Sequence, residues 1–375
     1  MVDEKKPSGS RAQAEVCIFG EDEMVLMGRA DSVRHGGSGS VDLSQARGPK
    51  DGADKVRLDV YELVTARIIE RLEQGTVPWQ SPSIARVGFP RNFATGKYYQ
   101  GINVFLLASA EYESPFFLTF IQAKELGGNV KKGEKGLPVV KVGTYIKAED
   151  GTKTPRLEDA DEADKRLYLK HYTVFNASQI EGIEFPPLPK CETYTESEQA
   201  ESARLIVEGM PNRPVINEGR KAKPCYIPST DEVEMPGRAT FRAEWRFFKT
   251  LFHELAHSTG HQSRLARKTL LENKGMASFG TEAKTYCQEE LVAEMTAAFL
   301  GAHAGIIEDD FENSAAYLKS WLDVLKVSNH KKWLVQAASE AQKAANYILN
   351  AGQGTGAAEA AQDARGLSLI HISEP

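Results

Sequence analysis

Residues 251–261 read Leu-Phe-His-Glu-Leu-Ala-His-Ser-Thr-Gly-His, which places His253, Glu254 and His257 in the order H-E-x-x-H. Side chains four apart lie one above the other on the same face of a helix, so both imidazoles can reach one metal ion. Glu254 then stands beside the open coordination position, where it can take a proton from water activated by the metal. The preceding residues support the helix: Phe241, Trp245, Phe248 and Phe252 recur at spacings of four, three and four, an apolar stripe. The competing reading is a helix with two unligated surface histidines. The pattern favours one half of a zinc hydrolase site.

A catalytic zinc usually has three protein ligands and one open position, so a third ligand must lie elsewhere. Glu290, on a helix expected over Thr285–Leu300, is the preferred candidate. Glu294 follows four residues later on the same face and is expected to accept the outer N–H of a ligating histidine. Glu289 points about 100° away from Glu290 and is the alternative by register. His261 is the other alternative. On a continuous helix it would lie about 12 Å from His253, but Gly260, placed to be a left-handed C-cap, breaks the helix and can fold His261 back beside the ligands as an outer group. With such a set, metal-activated water attacks a carbonyl, Glu254 acts as general base, and the proton passes on to the leaving amine. Tyr286 and His261 are the candidates to steady the oxyanion.

The chain has 375 residues, 41% hydrophobic and 26% charged, and its length suits two domains, each with its own core. No apolar run approaches the roughly 20 residues of a membrane span, so no membrane partner is expected. The N-terminal residues lack the apolar centre of a secretory signal, and Cys17, Cys191, Cys225 and Cys287 form no C-x-x-C pair. A reducing cytoplasm is the expected compartment. The net charge of −6 argues against wholesale coating of nucleic acid, but its sign is not uniform along the chain.

Residues 1–54 are rich in Gly, Ser, Asp and Lys, and are expected to be a disordered arm or a non-native extension. An amphipathic helix should begin near Asp59 and end at Gly75, and strands are expected at Phe116–Phe120, Val139–Tyr145 and His171–Phe175. The acidic segment 148–166 reads as a solvated insertion. Between residues 86 and 141, eight basic and four acidic side chains give a local charge of +4. Lys and Arg neutralise phosphates while aromatic rings stack on unpaired bases, so this segment suits single-stranded nucleic acid. The candidate contacts are Trp79, Arg91, Asn92, Lys97, Tyr98, Tyr99, Asn103, Lys131, Lys132 and Lys135. A solvated basic face over core aromatics is the competing reading. Pro186-Pro187-Leu188-Pro189 marks a boundary. Beyond it come a helix over Ser197–Gly209, short strands at Pro214–Asn217 and Cys225–Ile227, a loop over Asp231–Pro236, the motif helix, and helices over 314–327 and 331–349.

Several stretches together resemble one family. RLDVYELVTARIIERLEQGTVPW, PRNFATGKYYQGINVFLL, FLTFIQAKELGGNVKKGEKG and YTVFNASQIEGI are similar to the N-terminal domain of ArdC-type antirestriction proteins, a domain that TraC-type plasmid primases share. YIPSTDEVEMP, FHELAHSTGHQSRL and EELVAEMTAAFL resemble the family's zincin-like metallopeptidase domain. The resemblance implies an α+β protein: an N-terminal α+β single-stranded-DNA-binding domain followed by a mostly helical, gluzincin-type peptidase domain. It implies protection of incoming plasmid DNA from restriction, Zn2+ or another divalent ion such as Mn2+ as cofactor, single-stranded DNA as partner, and a restriction-enzyme subunit or another protein as substrate. The expected layout is an extension over 1–54, the DNA-binding domain over 55–185, a linker over 186–196, the peptidase domain over 197–350 and a disordered tail over 351–375. A DNA-binding protector, or a primase-associated protein, with a purely structural metal site is the alternative.

Overall fold

The computed structural model describes residues 16–17, 59–81, 83–147, 153–155, 165–188, 194–272, 281–307, 315–326 and 332–351. The expectations for residues 1–54 and 351–375 thus fall outside the described residues, apart from Val16, Cys17 and Ala351. In chain order the first half holds β1 (Val16–Cys17), α1 (Val60–Glu73), α2 (Ser83–Val87), β2 (Arg91–Asn92), α3 (Ile102–Ala108), β3 (Phe116–Thr119), α4 (Phe120–Glu125), β4 (Asn129–Val130), β5 (Leu137–Lys147), β6 (Lys153–Pro155), β7 (Lys165–Asn176) and β8 (Ile180–Glu181). The second half holds α5 (Glu196–Gly209), β9 (Val215–Glu218), β10 (Cys225–Ile227), β11 (Glu232–Met235), α6 (Glu244–Thr259), α7 (Lys268–Leu271), α8 (Thr281–His303), α9 (Ala315–Leu325) and α10 (Trp333–Ile348). The fold is α+β.

Helix α1 starts where Asp59 accepts the Tyr61 backbone N–H at 2.9 Å, and it buries Val64, Ile68 and Leu72 at the expected helical spacing. The first sheet has the order β2-β3-β7-β5-β6, with β2 and β3 parallel and the other pairs antiparallel. Its long hairpin β5–β7 runs in register from Leu137 opposite Val174 to Ile146 opposite Lys165. Both strands exceed the stretches their apolar residues announce, because ladder hydrogen bonding continues through the polar Lys and Thr positions. Residues 153–155, within the acidic segment, form the edge strand β6 rather than a bare solvated insertion.

The second sheet, β1-β10-β11-β9, backs the motif helix. Strand β11 occupies residues expected to be a loop; Val233, Glu234 and Met235 are buried there, paired to β10 on one side and β9 on the other. Four residues with alternating acid give little sequence signal for a strand, and it is pairing with neighbours that makes this one. Helix α6 lies beneath this sheet, against α5, α8 and α10.

The first half has two small apolar clusters of its own, around Phe117 and around Leu118, and shares its largest one with the second half. One apolar cluster includes Val64, Ile68 and Phe105 of the first half together with Phe252, Phe299, Leu334 and Ile348 of the second. Phe105 stacks on Phe299 with ring centroids 4.7 Å apart, and Trp79 meets Trp321 edge-on at 5.6 Å. At Gly101, which has φ +56°, an added Cβ would lie 3.5 Å from the Ala338 carbonyl oxygen, and its N–H donates to Gln342 Oε1 at 3.1 Å. The first half is therefore seated directly on α10. Phe299→Ala should destabilise the whole chain by about 3–5 kcal/mol, read as a shift of a single denaturant-unfolding transition. Two transitions, with only one displaced, would show that the halves fold on independent cores.

Candidate metal centre

The buried face of α6 brings His253 and His257 together one turn apart, with Nε2 atoms 3.1 Å from each other. Helix α8 crosses alongside and contributes Glu290, whose Oε2 lies 3.3 Å from His253 Nε2 and whose Oε1 lies 3.5 Å from His257 Nε2. Helix α8 can run through the interior because Leu291, Val292, Ala293, Met295 and Ala297 surround the carboxylate with small and apolar side chains. Among the described residues, His253, His257 and Glu290 form the group able to hold a metal ion, with donor atoms within 4.8 Å of one another. A tetrahedron with metal–ligand bonds of roughly 2.0–2.1 Å has edges of about 3.3 Å, which the three observed separations bracket. The donor set of two imidazoles and one carboxylate fits a divalent cation.

Glu254 faces the same interior and is completely buried. Among the described residues no side chain bonds either of its carboxylate oxygens, the Tyr226 backbone N–H being the donor that acts on it, and Glu290 Oε1 is without a hydrogen-bond partner. Burial is the main influence on Glu254 and pushes its carboxyl up to about 8; His253 opposes this and the Glu290 charge adds to it. For His253, burial favours the neutral ring but is outweighed by the hydrogen bond and charge of Glu290 and by the charges of Glu294 and Glu254, which leave it raised to about 9. Negative charge is thus in excess around the histidines, as a cation site requires.

The outer groups are divided between the two rings. His257 Nδ1 lies 3.2 Å from Glu289 Oε1, so Glu289 is the carboxylate on the outer edge of that ring. Helical geometry explains this: Glu289 diverges from Glu290 and passes behind His257, while Glu294 acts on His253 through its charge. Burial would raise Glu289, but the charge and hydrogen bonds of Arg267 prevail and hold it down at about 2. Arg267 was not among the sequence candidates; it sits in a polar loop whose periodicity marks nothing. His261 is not a ligand and not an outer group, since its Nδ1 bonds the Ser263 hydroxyl at 2.7 Å on the exposed side. Gly260 has φ −74°, so it is no left-handed cap; close packing is what demands glycine there, as an added Cβ would come within 2.9 Å of Leu270 and 3.0 Å of Arg267.

The basic, aromatic face sorts its candidates by exposure. Trp79 is only 2% exposed against Trp321 and cannot serve as a stacking platform, which corrects its assignment. Asn103 is also structural: its side chain donates to the Val140 carbonyl and accepts the Val140 N–H, both at 2.8 Å. Asn92 joins Gln122 and Thr95, and half-buried Tyr99 packs edge-on against Phe117. Tyr98 is 39% exposed with the Arg91 guanidinium 5.9 Å from its ring centre, and Lys97, Lys131, Lys132 and Lys135 are exposed. The sequence reading passed over Phe120 and Ile121, 51% and 67% exposed at the start of α4, with Lys124 Nζ 5.8 Å from the Phe120 ring. Large apolar side chains left in water next to a lysine mark a candidate contact surface that only the structure reveals.

Comparison with known proteins places this arrangement. Residues 58–175 match the model of the N-terminal domain of the anti-restriction factor ArdC, and residues 211–340 match that of a zincin-like metallopeptidase. The crystal structure of the antirestriction ArdC protein from plasmid R388 is 37% identical, with a TM-score of 0.58 over 77% of this chain and 96% of that one. The chain belongs to the ArdC antirestriction family.

The Mn(II)-bound structure of the R388 ArdC protein gives the same identity and TM-score, over 79% of this chain and all of that one. An uncharacterized protein, y4eC, of Sinorhizobium fredii is 32% identical over 80% of this chain and 94% of its own length. The Escherichia coli DNA primase TraC is 35% identical over 79% of this chain, which spans only 27% of the primase. Among the described residues of this ArdC family member, no helix is long and apolar enough to cross a membrane. Alanine at His253, His257 or Glu290 should weaken Mn(II) or Zn(II) binding on the order of 100-fold or more in calorimetric titration, beyond what outer partners usually contribute. His261→Ala should leave it within about twofold. Tight binding by a folded Glu290→Ala variant would remove Glu290 from the ligand set.

Proposed function

We propose that this ArdC family member is an antirestriction protein that binds single-stranded DNA and hydrolyses a peptide bond at a divalent metal held by His253, His257 and Glu290. The observation that carries the peptidase half is Glu254. Among the described residues this fully buried carboxylate has no side-chain partner, only the Tyr226 backbone N–H acts on it as a donor, and it lies close enough to His253 and Glu290 to feel their charge. When bound, a divalent cation supplies Lewis acidity, polarising the scissile carbonyl and making water acidic near neutral pH. Zinc is the ion the zincin-like domain suggests; the Mn(II)-bound relative supports manganese as the other.

The residues of this chain then have definite tasks. The imidazoles and Glu290 present their donors to one point, fixed by two packed helices. Glu254 accepts the proton of the attacking water on a carboxylate oxygen and delivers it to the leaving amine nitrogen. Burial, which raises its affinity for that proton, also makes it responsive to a neighbouring cation, which favours the ionised base. The apolar surroundings keep these charges poorly screened.

For DNA, the platform we propose is Tyr98 with Arg91 and Phe120 with Lys124, flanked by Lys97, Lys131, Lys132 and Lys135. Exposed rings beside cations suit unpaired bases with their phosphates, whereas a duplex hides its base faces. The similarity to TraC favours a second reading, in which the chain is a primase-associated or DNA-protecting module whose metal serves structure alone.

Glu254→Gln separates the two. The first reading expects the metal to stay bound, single-stranded DNA affinity to hold, and cleavage and antirestriction to fall on the order of 100-fold or more. Undiminished antirestriction in a metal-loaded Glu254→Gln protein would establish the second reading. On the DNA side, Tyr98→Ala and Phe120→Ala should each lower affinity for a labelled oligonucleotide by about 1–3 kcal/mol in anisotropy titrations, with affinity falling as salt rises. Equal binding to duplex with no salt dependence would defeat the platform.

A further inference from the structure

We propose that Arg267 and Glu289 are positioning residues of the metal centre: together they fix the ring of His257 so that Nε2 faces the ion. The inference rests on the metal half of the function proposed above and is independent of whether the site cleaves peptides.

Arg267 is 4% exposed and Glu289 is fully buried. Charges taken out of water in this way need complete pairing, and these have it. The guanidinium grips Glu289 as a fork, with Nε donating to Oε2 at 2.9 Å and Nη2 to Oε1 at 2.5 Å. Two further donors go to the motif helix itself: Nη1 donates to Thr259 Oγ1 at 2.8 Å and Nη2 to the Ala256 carbonyl at 2.9 Å. The Thr269 hydroxyl completes the cradle by donating to Glu289 Oε2. The one partner left to Glu289 Oε1 is His257 Nδ1, at 3.2 Å.

An ionised acceptor fixed at Nδ1 makes that nitrogen the proton-bearing one and leaves the Nε2 lone pair for a metal. Glu290 can then be a ligand while its neighbour Glu289 orients a ligand.

The loop after the motif is shaped to deliver Arg267 to this place. The Leu265 N–H donates to the Thr259 carbonyl, Ala266 N–H to that of His261 and Arg267 N–H to that of Gly260. Ala266 takes φ +47° to close the turn. Gly260 is the point of closest approach, where an added Cβ would stand 3.0 Å from Arg267 Nη2. A neighbouring pair makes a natural control. Arg264 is also buried and bonds Asp231 and the Ser258 carbonyl at the end of the same helix, but none of its partners touches a candidate ligand.

The test is the Mn(II) dissociation constant of folded, full-length protein, measured by calorimetry with folding checked by circular dichroism. Glu289→Gln and Arg267→Lys should each weaken Mn(II) binding by about 10–100-fold, and the double variant by no more than the worse single one, because both act through one ring. Arg264→Lys should stay within twofold of the unaltered protein. Should Arg267→Lys fail to fold, Thr269→Val and Gly260→Ala disturb the same cradle without removing a charge and should weaken binding several-fold. Wild-type affinity in these variants, or a loss no greater than that of Arg264→Lys, would overturn the inference and leave the metal reading standing. Failure of the unaltered protein to bind Mn(II) or Zn(II) would overturn both.

Discussion

His253, Glu254, His257, Glu289 and Glu290 bring five titratable side chains into an apolar interior, each 5% exposed or less. Unpaired charge there is expensive, so each must be neutralised, paired or joined through a cation. Glu289 is settled by Arg267, and His257 by Glu289 behind it. Glu254 and Glu290 remain with oxygens that no side chain among the described residues bonds. The architecture of the second half follows from holding that cluster still: α6 and α8 cross at the donors, β10 and β11 cover α6 from one side, and α10 closes the other.

The same core carries the constraint into the first half. Phe105 on Phe299, Trp79 on Trp321 and Gly101 on α10 join the helical layer of the first half to the helices around the candidate metal centre. Dense interiors transmit displacement poorly by bending and well by rigid shift.

Local geometry made half of the site legible in the sequence. His253 and His257 are fixed by a four-residue period, and the third donor at Glu290 follows from an apolar helix that carries acid without an apparent reason. Long-range contacts concealed the rest. Whether Trp79 is a platform or a core residue depends on Trp321, far along the chain, and Asn103 is structural because β5 happens to pass beside it. Glu289 and Glu294 differ in role only through where His257 stands, and Arg267 acquires its task from a loop that folds back on the helix it follows. Gly260 looked like a conformational glycine and is a steric one. The exposed apolar side chains Phe120 and Ile121 resemble ordinary core positions until their exposure is seen.

The seating of Gly101 against Ala338 also bears on how this unit is inherited. The Gly101 backbone rests on α10 at contact distance and bonds Gln342, so a change on one side of this joint has to be matched on the other. Neither half can then be exchanged for an unrelated module without re-forming the joint. The stretch that aligns with TraC is consistent with this: it covers 79% of the chain, more than either half alone, inside a primase several times longer. The aligned stretch is long enough to take in both halves and the joint between them.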